Sequence, residues 1–142
     1  MSKPVKTFID SNVLIYANDK DEVEKQRVAI KVLDELWTTD SGVLSVQVLQ
    51  EFYSVVTRKL KPRVSRALAQ EVVQLYSQWC GETTAREIQD AFRIESTAQI
   101  SFWDALIVAS ALQSGANRIL SDDLNHGQTI SGIAIVDPFR DL

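Results

Sequence analysis

The chain has 142 residues, 45% of them hydrophobic, a single cysteine and a formal net charge of −4. That is one domain's worth, residues 1–142, with enough apolar material for a core without staples, and a lone cysteine excludes an internal disulfide framework. The negative charge argues against broad electrostatic adhesion to nucleic acid, yet it leaves room for a local basic stripe.

Lack of disulfides fits a reducing compartment, so the cytoplasm is the expectation. The N-terminal apolar stretch is short and broken by Asp10, Ser11 and Asn12, which argues against a signal peptide and against a membrane span. Val5 to Ile9, a β-branched and aromatic run after Pro4, predicts a strand. Asn12 to Tyr16 then predicts a helix, with Ser11 as its candidate cap. Glu22 to Trp37 predicts an amphipathic helix whose stripe is Val23, Ile30, Leu33 and Trp37. Gly42 opens a second short strand, Val43 to Ser45. Ser45 is placed to cap a helix from Val46 to Leu60, with Val48, Leu49, Phe52, Val55 and Val56 on its apolar side. That helix should stop before Pro62.

Ser65 is placed to cap the next helix, Arg66 to Trp79, with Gly81 just past its end. Thr84 and Glu87 have capping-box spacing and start a helix to about Ser96. Ser101 and Asp104 repeat the spacing before a helix that Gly115 closes. Arg118 to Leu120 and Ile133 to Val136 predict two further strands. Short strands alternating with longer helices imply an α/β protein, a mostly parallel sheet covered on both faces in an α/β/α layering. Sites in such folds lie beyond the carboxyl ends of the strands.

Acidic residues stand at those places. Asp10 and the pair Asp122/Asp123 follow predicted strands, while Glu51 and Asp104 lie on helices. Each has an ordinary structural role open to it. Asp10 has a helix start to cap, and Glu51 sits on the row Gln47, Glu51, Ser54, Arg58, a pattern that a solvated face also shows. Asp104 begins a stripe continued by Ile107, Val108 and Ala111, with Ser110, Gln113 and Ser114 on the polar side. As third residue of a capping box it also has the Ser101 amide to bond. Asp122 and Asp123 lie in a turn-rich loop. Together the acids are more telling, because two carboxylates about 4 Å apart repel by about 4 kcal/mol at an effective dielectric of 20. A cluster of them needs a cation or protons. Oxygen-only donors suit a hard ion, Mg²⁺ or Mn²⁺, and hence phosphate chemistry. A Cys/His zinc site fails on ligand count, a His126-based triad has no G-x-S-x-G elbow, and no Gly-rich phosphate loop is present.

Four segments, FIDSNVLIYA, SVQVLQEFYSVVTRKL, SFWDALIVASA and ILSDDLNHGQ, in this order and spacing, resemble a PIN domain of the VapC toxin type. The resemblance runs from about residue 5 to Phe139. It implies a five-stranded, mostly parallel sheet and a Mg²⁺- or Mn²⁺-dependent endoribonuclease that leaves 5′-phosphate and 3′-hydroxyl ends. It also implies a homodimer with a cognate antitoxin protein as partner. By the same resemblance the catalytic, metal-holding acids are Asp10, Glu51, Asp104 and Asp123; the mechanism expected of that set has Asp10 and Asp104 holding one ion, with Glu51 and Asp123 binding it through water or helping a second ion. Asp122 is an alternative to Asp123, and Ser11, Asn12 and Ser121 are supporting residues.

RNA needs cations near such a cleft. Arg58, Lys59, Lys61, Arg63 and Arg66 crowd the end of the Glu51 helix and are candidates for phosphate contacts, although positive charge there also suits the helix dipole. Phe102, Trp79 and Trp103 are candidates for stacking on bases, or for core. Two other readings stay open: a PIN-fold module that binds RNA or protein without cleaving, and an RNA-processing nuclease without an antitoxin.

Overall fold

In a computed structural model, which describes residues 5–142, the apolar runs become a five-stranded sheet in the order β2-β1-β3-β5-β4. Its strands are β1 (Thr7–Ile9), β2 (Gly42–Val43), β3 (Arg118–Leu120), β4 (Thr129–Ile130) and β5 (Ile133–Val136). All pairings are parallel except β4 with β5. Every residue of β1 is buried, as parallel strands covered on both faces require. The helices α1 (Ser11–Ala17), α2 (Val23–Thr38), α3 (Val46–Arg58), α4 (Arg66–Tyr76), α5 (Ala85–Ala98) and α6 (Phe102–Gln113) complete the α/β/α sandwich. Among the described residues no helix is long and apolar enough to cross a membrane.

Pro4, expected to precede the first strand, lies outside the described residues. The strand itself starts at Thr7, whose hydroxyl donates to the Val5 carbonyl (2.8 Å). Ser45, Ser65 and Ser101 cap α3, α4 and α6, each accepting from the amide three residues on. Ser45 is therefore not a strand residue. α3 ends at Arg58, short of Leu60, because the chain turns back and the Val64 amide bonds the Val56 carbonyl. The helix expected to reach Trp79 is α4 followed by a 3₁₀ turn at Ser77–Trp79, where the Ser77 hydroxyl bonds the Val73 carbonyl.

Four expectations fail on packing. The cap of α1 is Asp10, not Ser11. The buried face of α2 is Ala29, Leu33 and Leu36, whereas Val23, Ile30 and Trp37 are exposed; Trp37 instead packs edge-on against Tyr76 and tilted against Trp79. Thr84 makes no side-chain cap, because Glu87 turns inward under α6 and accepts from the Ser110 hydroxyl (3.1 Å). Ser110 is accordingly buried, and α6 is covered on nearly all sides by its position against α5 and β3. The fifth strand that the resemblance implied was not located by the sequence pattern; it is β4, which forms a hairpin with β5 through Ser131 and Gly132, both at positive φ (51° and 81°), the signature of a two-residue type I′ turn.

Candidate functional site

Asp10 follows β1 directly and is pinned between the two central strands by its amide, which bonds the Leu120 carbonyl (3.0 Å). One carboxylate oxygen accepts from the Ser11 amide (2.7 Å), the other from the Ser121 hydroxyl (2.8 Å). The side chain is 4% exposed. Burial pushes its carboxyl up to about 6; the two hydrogen bonds pull down, and the charges of Asp123 and Glu51 push up further. The strand end thus buries an acid that water no longer solvates.

Three other segments bring carboxylates toward it. Glu51, on α3, accepts from the Ser11 hydroxyl (2.7 Å) and from Gln47 Nε2 (3.3 Å), so this one carboxylate is tied to α1 while Ser54 and Arg58 of its row stay exposed to solvent. Ser121 Oγ, while donating to Asp10, accepts from the Asp123 amide (3.1 Å) and so fixes the loop after β3. Asn12 Nδ2 donates to Asp122 Oδ1 (2.8 Å) and Asp123 Oδ2 (3.3 Å). Burial pushes the Asp123 carboxyl up, and the charges of Asp122, Asp104 and Glu51 add to the push. On α6 the Ser101 hydroxyl accepts from the Asp104 amide (3.1 Å), but among the described residues no bond returns from the Asp104 carboxylate to the Ser101 amide. Asp104 therefore keeps its carboxylate free on the Asp123 side.

Asp10, Glu51, Asp122 and Asp123 are thus tied together by Ser11, Asn12 and Ser121 at one end of the sheet, and Asp104 stands near enough for its charge to act on Asp123. Among the described residues, however, no three His, Cys, Asp or Glu side chains are arranged as a ready-made metal cage. The donor set still fits a hard divalent ion, since Mg²⁺ takes one or two carboxylates and keeps water in its other positions. A cation would also relieve the crowding that raises Asp10 and Asp123. His126 is engaged elsewhere, accepting from the Asp137 amide at Nδ1 (3.0 Å).

The basic stretch stands apart from the acids. Arg58 lies two helical turns beyond Glu51, about 10 Å along the axis, and Arg63 lines a hollow with Ala17 and Lys20 at the far end of α1. Trp79 is buried in the Trp37/Tyr76 cluster, which leaves the exposed Trp103, edge-on to Phe102, as the available stacking surface. Sequence reasoning missed two residues at the rim, Tyr16 and Lys25. Lys25 Nζ donates to the Tyr16 hydroxyl (3.3 Å) and lies 4.6 Å from that ring's centroid. Tyr16 had a signal, since it falls four residues after Asn12 on one face of α1; Lys25, within a run of charges, had none.

The sequence matches the family model for the PIN domain over residues 7–129. No curated protein matches it significantly. Among solved structures, FitAB bound to an IR36 DNA fragment superposes with a TM-score of 0.70 at 18% identity, covering 93% of this chain and 94% of that one. VapBC2 from Rickettsia felis, bound to a DNA fragment from its promoter, gives 0.63 at 15% identity over 91% and 96%. VapC20 from Mycobacterium tuberculosis, described as a Sarcin-Ricin loop cleaving toxin, gives 0.58 at 16% identity over 80% and 86%. At these identities the likeness is one of fold.

Proposed function

The chain belongs to the PIN domain family, and from that premise we propose that it is a divalent-cation-dependent endoribonuclease, the cytoplasmic toxin of a toxin–antitoxin pair. The observation that carries the reading is the buried Asp10, pushed up by burial and by the charges of Glu51 and Asp123, with Asp104 and Asp122 in turn acting on Asp123. Evolution of a stable fold does not call for such crowding, whereas a cation-assisted site does.

Asp10 and Asp104 would hold the ion directly, with Glu51, Asp123 and Asp122 around it. When bound, a divalent cation supplies Lewis-acid polarisation of a phosphoryl oxygen and acidifies a coordinated water. The chain's own residues do the positioning. Ser121 orients Asp10 and the Asp123 backbone together, Ser11 fixes Glu51, and Asn12 holds Asp122 and Asp123 on one side. RNA would lie across this end, and a homodimer would present two such ends. The VapBC2 and FitAB likenesses support an antitoxin as the regulating partner.

The test is cleavage of a total-RNA pool by the purified chain in Mg²⁺, Mn²⁺ or EDTA, with product ends sequenced. Cuts at a few positions, lost in EDTA, are expected; a folded chain that binds Mg²⁺ yet leaves the pool intact would favour a non-cleaving module. Asp104→Asn should lower cleavage by about 100-fold or more with Tm no lower than wild type, because the carboxylate makes no bond within the fold and its charge only adds to the push on Asp123. Full activity in that variant would remove Asp104 from the site. For the basic stretch, reversing Arg58 and Lys61 to Glu should cut the slope of log affinity against log salt by about 1.4 if both contact phosphates of single-stranded RNA. An unaltered slope would assign both cations to the helix end alone.

A further inference from the structure

The acidic end of the sheet attracts cations and repels the polyanion it is proposed to cut, so something beside it must receive phosphate. The stretch from Arg58 to Arg66 lies at the far ends of α1 and α3. Lys25 lies closer. It projects from the first turns of α2 over the face of Tyr16, and Tyr16 is itself set by an edge-on contact with the buried Phe139 (4.9 Å). One N–H goes to the Tyr16 hydroxyl. Asp122, already bonded to Asn12, is near enough for its charge to act on both Tyr16 and Lys25.

Lys25 is nevertheless not consumed by an ion pair. Among the described residues the one salt bridge within 4 Å is Arg93 with Asp90, on α5. An ammonium held over an aromatic face, with N–H groups left over and acids beyond it, is a pre-placed receptor for an anionic oxygen. We infer that Lys25, seated on Tyr16, binds a non-bridging phosphate oxygen of RNA beside the nucleotide bond that lies over the acids. This rests on the ribonuclease reading and adds to it a named contact and a direction for the strand, entering over α2 and passing Asp122 before Asp10.

Binding of a labelled single-stranded RNA oligonucleotide, followed by anisotropy between about 50 and 200 mM salt, tests this beside cleavage kinetics. Lys25→Gln should weaken binding about 3- to 10-fold at the low end and reduce the salt slope by about 0.7, the value of one phosphate contact. In cleavage, the loss should be carried by KM. Lys25→Arg should restore the slope, and Tyr16→Phe, which keeps the ring but removes the hydroxyl, should cost about 2-fold. If wild type cleaves RNA while Lys25→Gln binds with unaltered affinity and slope, the inference falls and the ribonuclease reading stands. A fall in kcat with KM and slope unchanged also overturns it, because Lys25 would then act only through the field at Asp122. A folded wild type that neither binds nor cleaves RNA overturns both.

Discussion

Asp10→Asn should unfold at a higher temperature than the wild type at pH 7 in EDTA, and should show no detectable nuclease activity. The carboxyl titrates at about 6 in the fold against an ordinary value of 3.8. The native state therefore binds more protons than the unfolded chain between those values, and stability falls as pH rises from about 4 through about 6. Above that window the full cost is present, about 3 kcal/mol for a shift of this size. Asn removes the charge and keeps the oxygen that accepts from the Ser11 amide. It also turns an acceptor into a donor facing Ser121, whose hydroxyl must reorient while still accepting from the Asp123 amide. After that loss a gain of about 1–2 kcal/mol is expected, or roughly 3–6 °C in Tm. The gain should vanish near pH 4, where the wild-type acid is protonated. Added Mg²⁺ should raise the wild-type Tm and leave the variant's unmoved. Thermal melts at both pH values, with and without metal, check each part; a variant less stable than wild type at pH 7 would mean that the Asp10 charge is satisfied in the fold.

That tension between stability and chemistry was legible in the sequence only as a pattern of acids at strand and helix ends. The caps were legible too, since Ser45, Ser65 and Ser101 each precede an apolar periodic run and each accepts the expected amide. Contacts between distant segments were not. The Ser11–Glu51 bond joins residues 40 apart and the Ser121–Asp10 bond residues 111 apart. No local spacing encodes either. The same limit explains Glu87, whose capping-box position is overridden by a buried partner on another helix. It explains α2 as well, where Ala29, small enough for close approach, decides the buried face instead of the larger Val23 and Ile30. β4 was missed for a different reason: two residues carry no periodicity, and only the Ser131–Gly132 turn marks the hairpin.

Gly42→Ala should be the most crowded of the chain's glycine-to-alanine changes, and a costly one. A Cβ at this position would sit 2.6 Å from Cη2 and Cζ3 of Trp79 and 2.7 Å from its Cε3, closer than carbon atoms pack. The ring has little room to retreat. It is 8% exposed and wedged by Trp37 (centroids 5.1 Å) and by the edge of Tyr76 (5.0 Å), and the Trp79 carbonyl accepts from the Leu44 amide. Relief must come from β2, which pairs with β1 at Thr7↔Gly42 and Phe8↔Val43. The expected cost is about 2–3 kcal/mol, as for other overpacked cores, and a fall of roughly 6–12 °C in Tm. Activity should fall with it, because Ser45, three residues on, caps the helix that carries Glu51. Trimming the ring in a Gly42→Ala/Trp79→Leu double variant should cost less than the sum of the two single changes, a coupling of about 1 kcal/mol or more. Additive losses in that cycle, or a Gly42→Ala cost below about 0.5 kcal/mol, would show that Trp79 does not press on the edge of the sheet in solution.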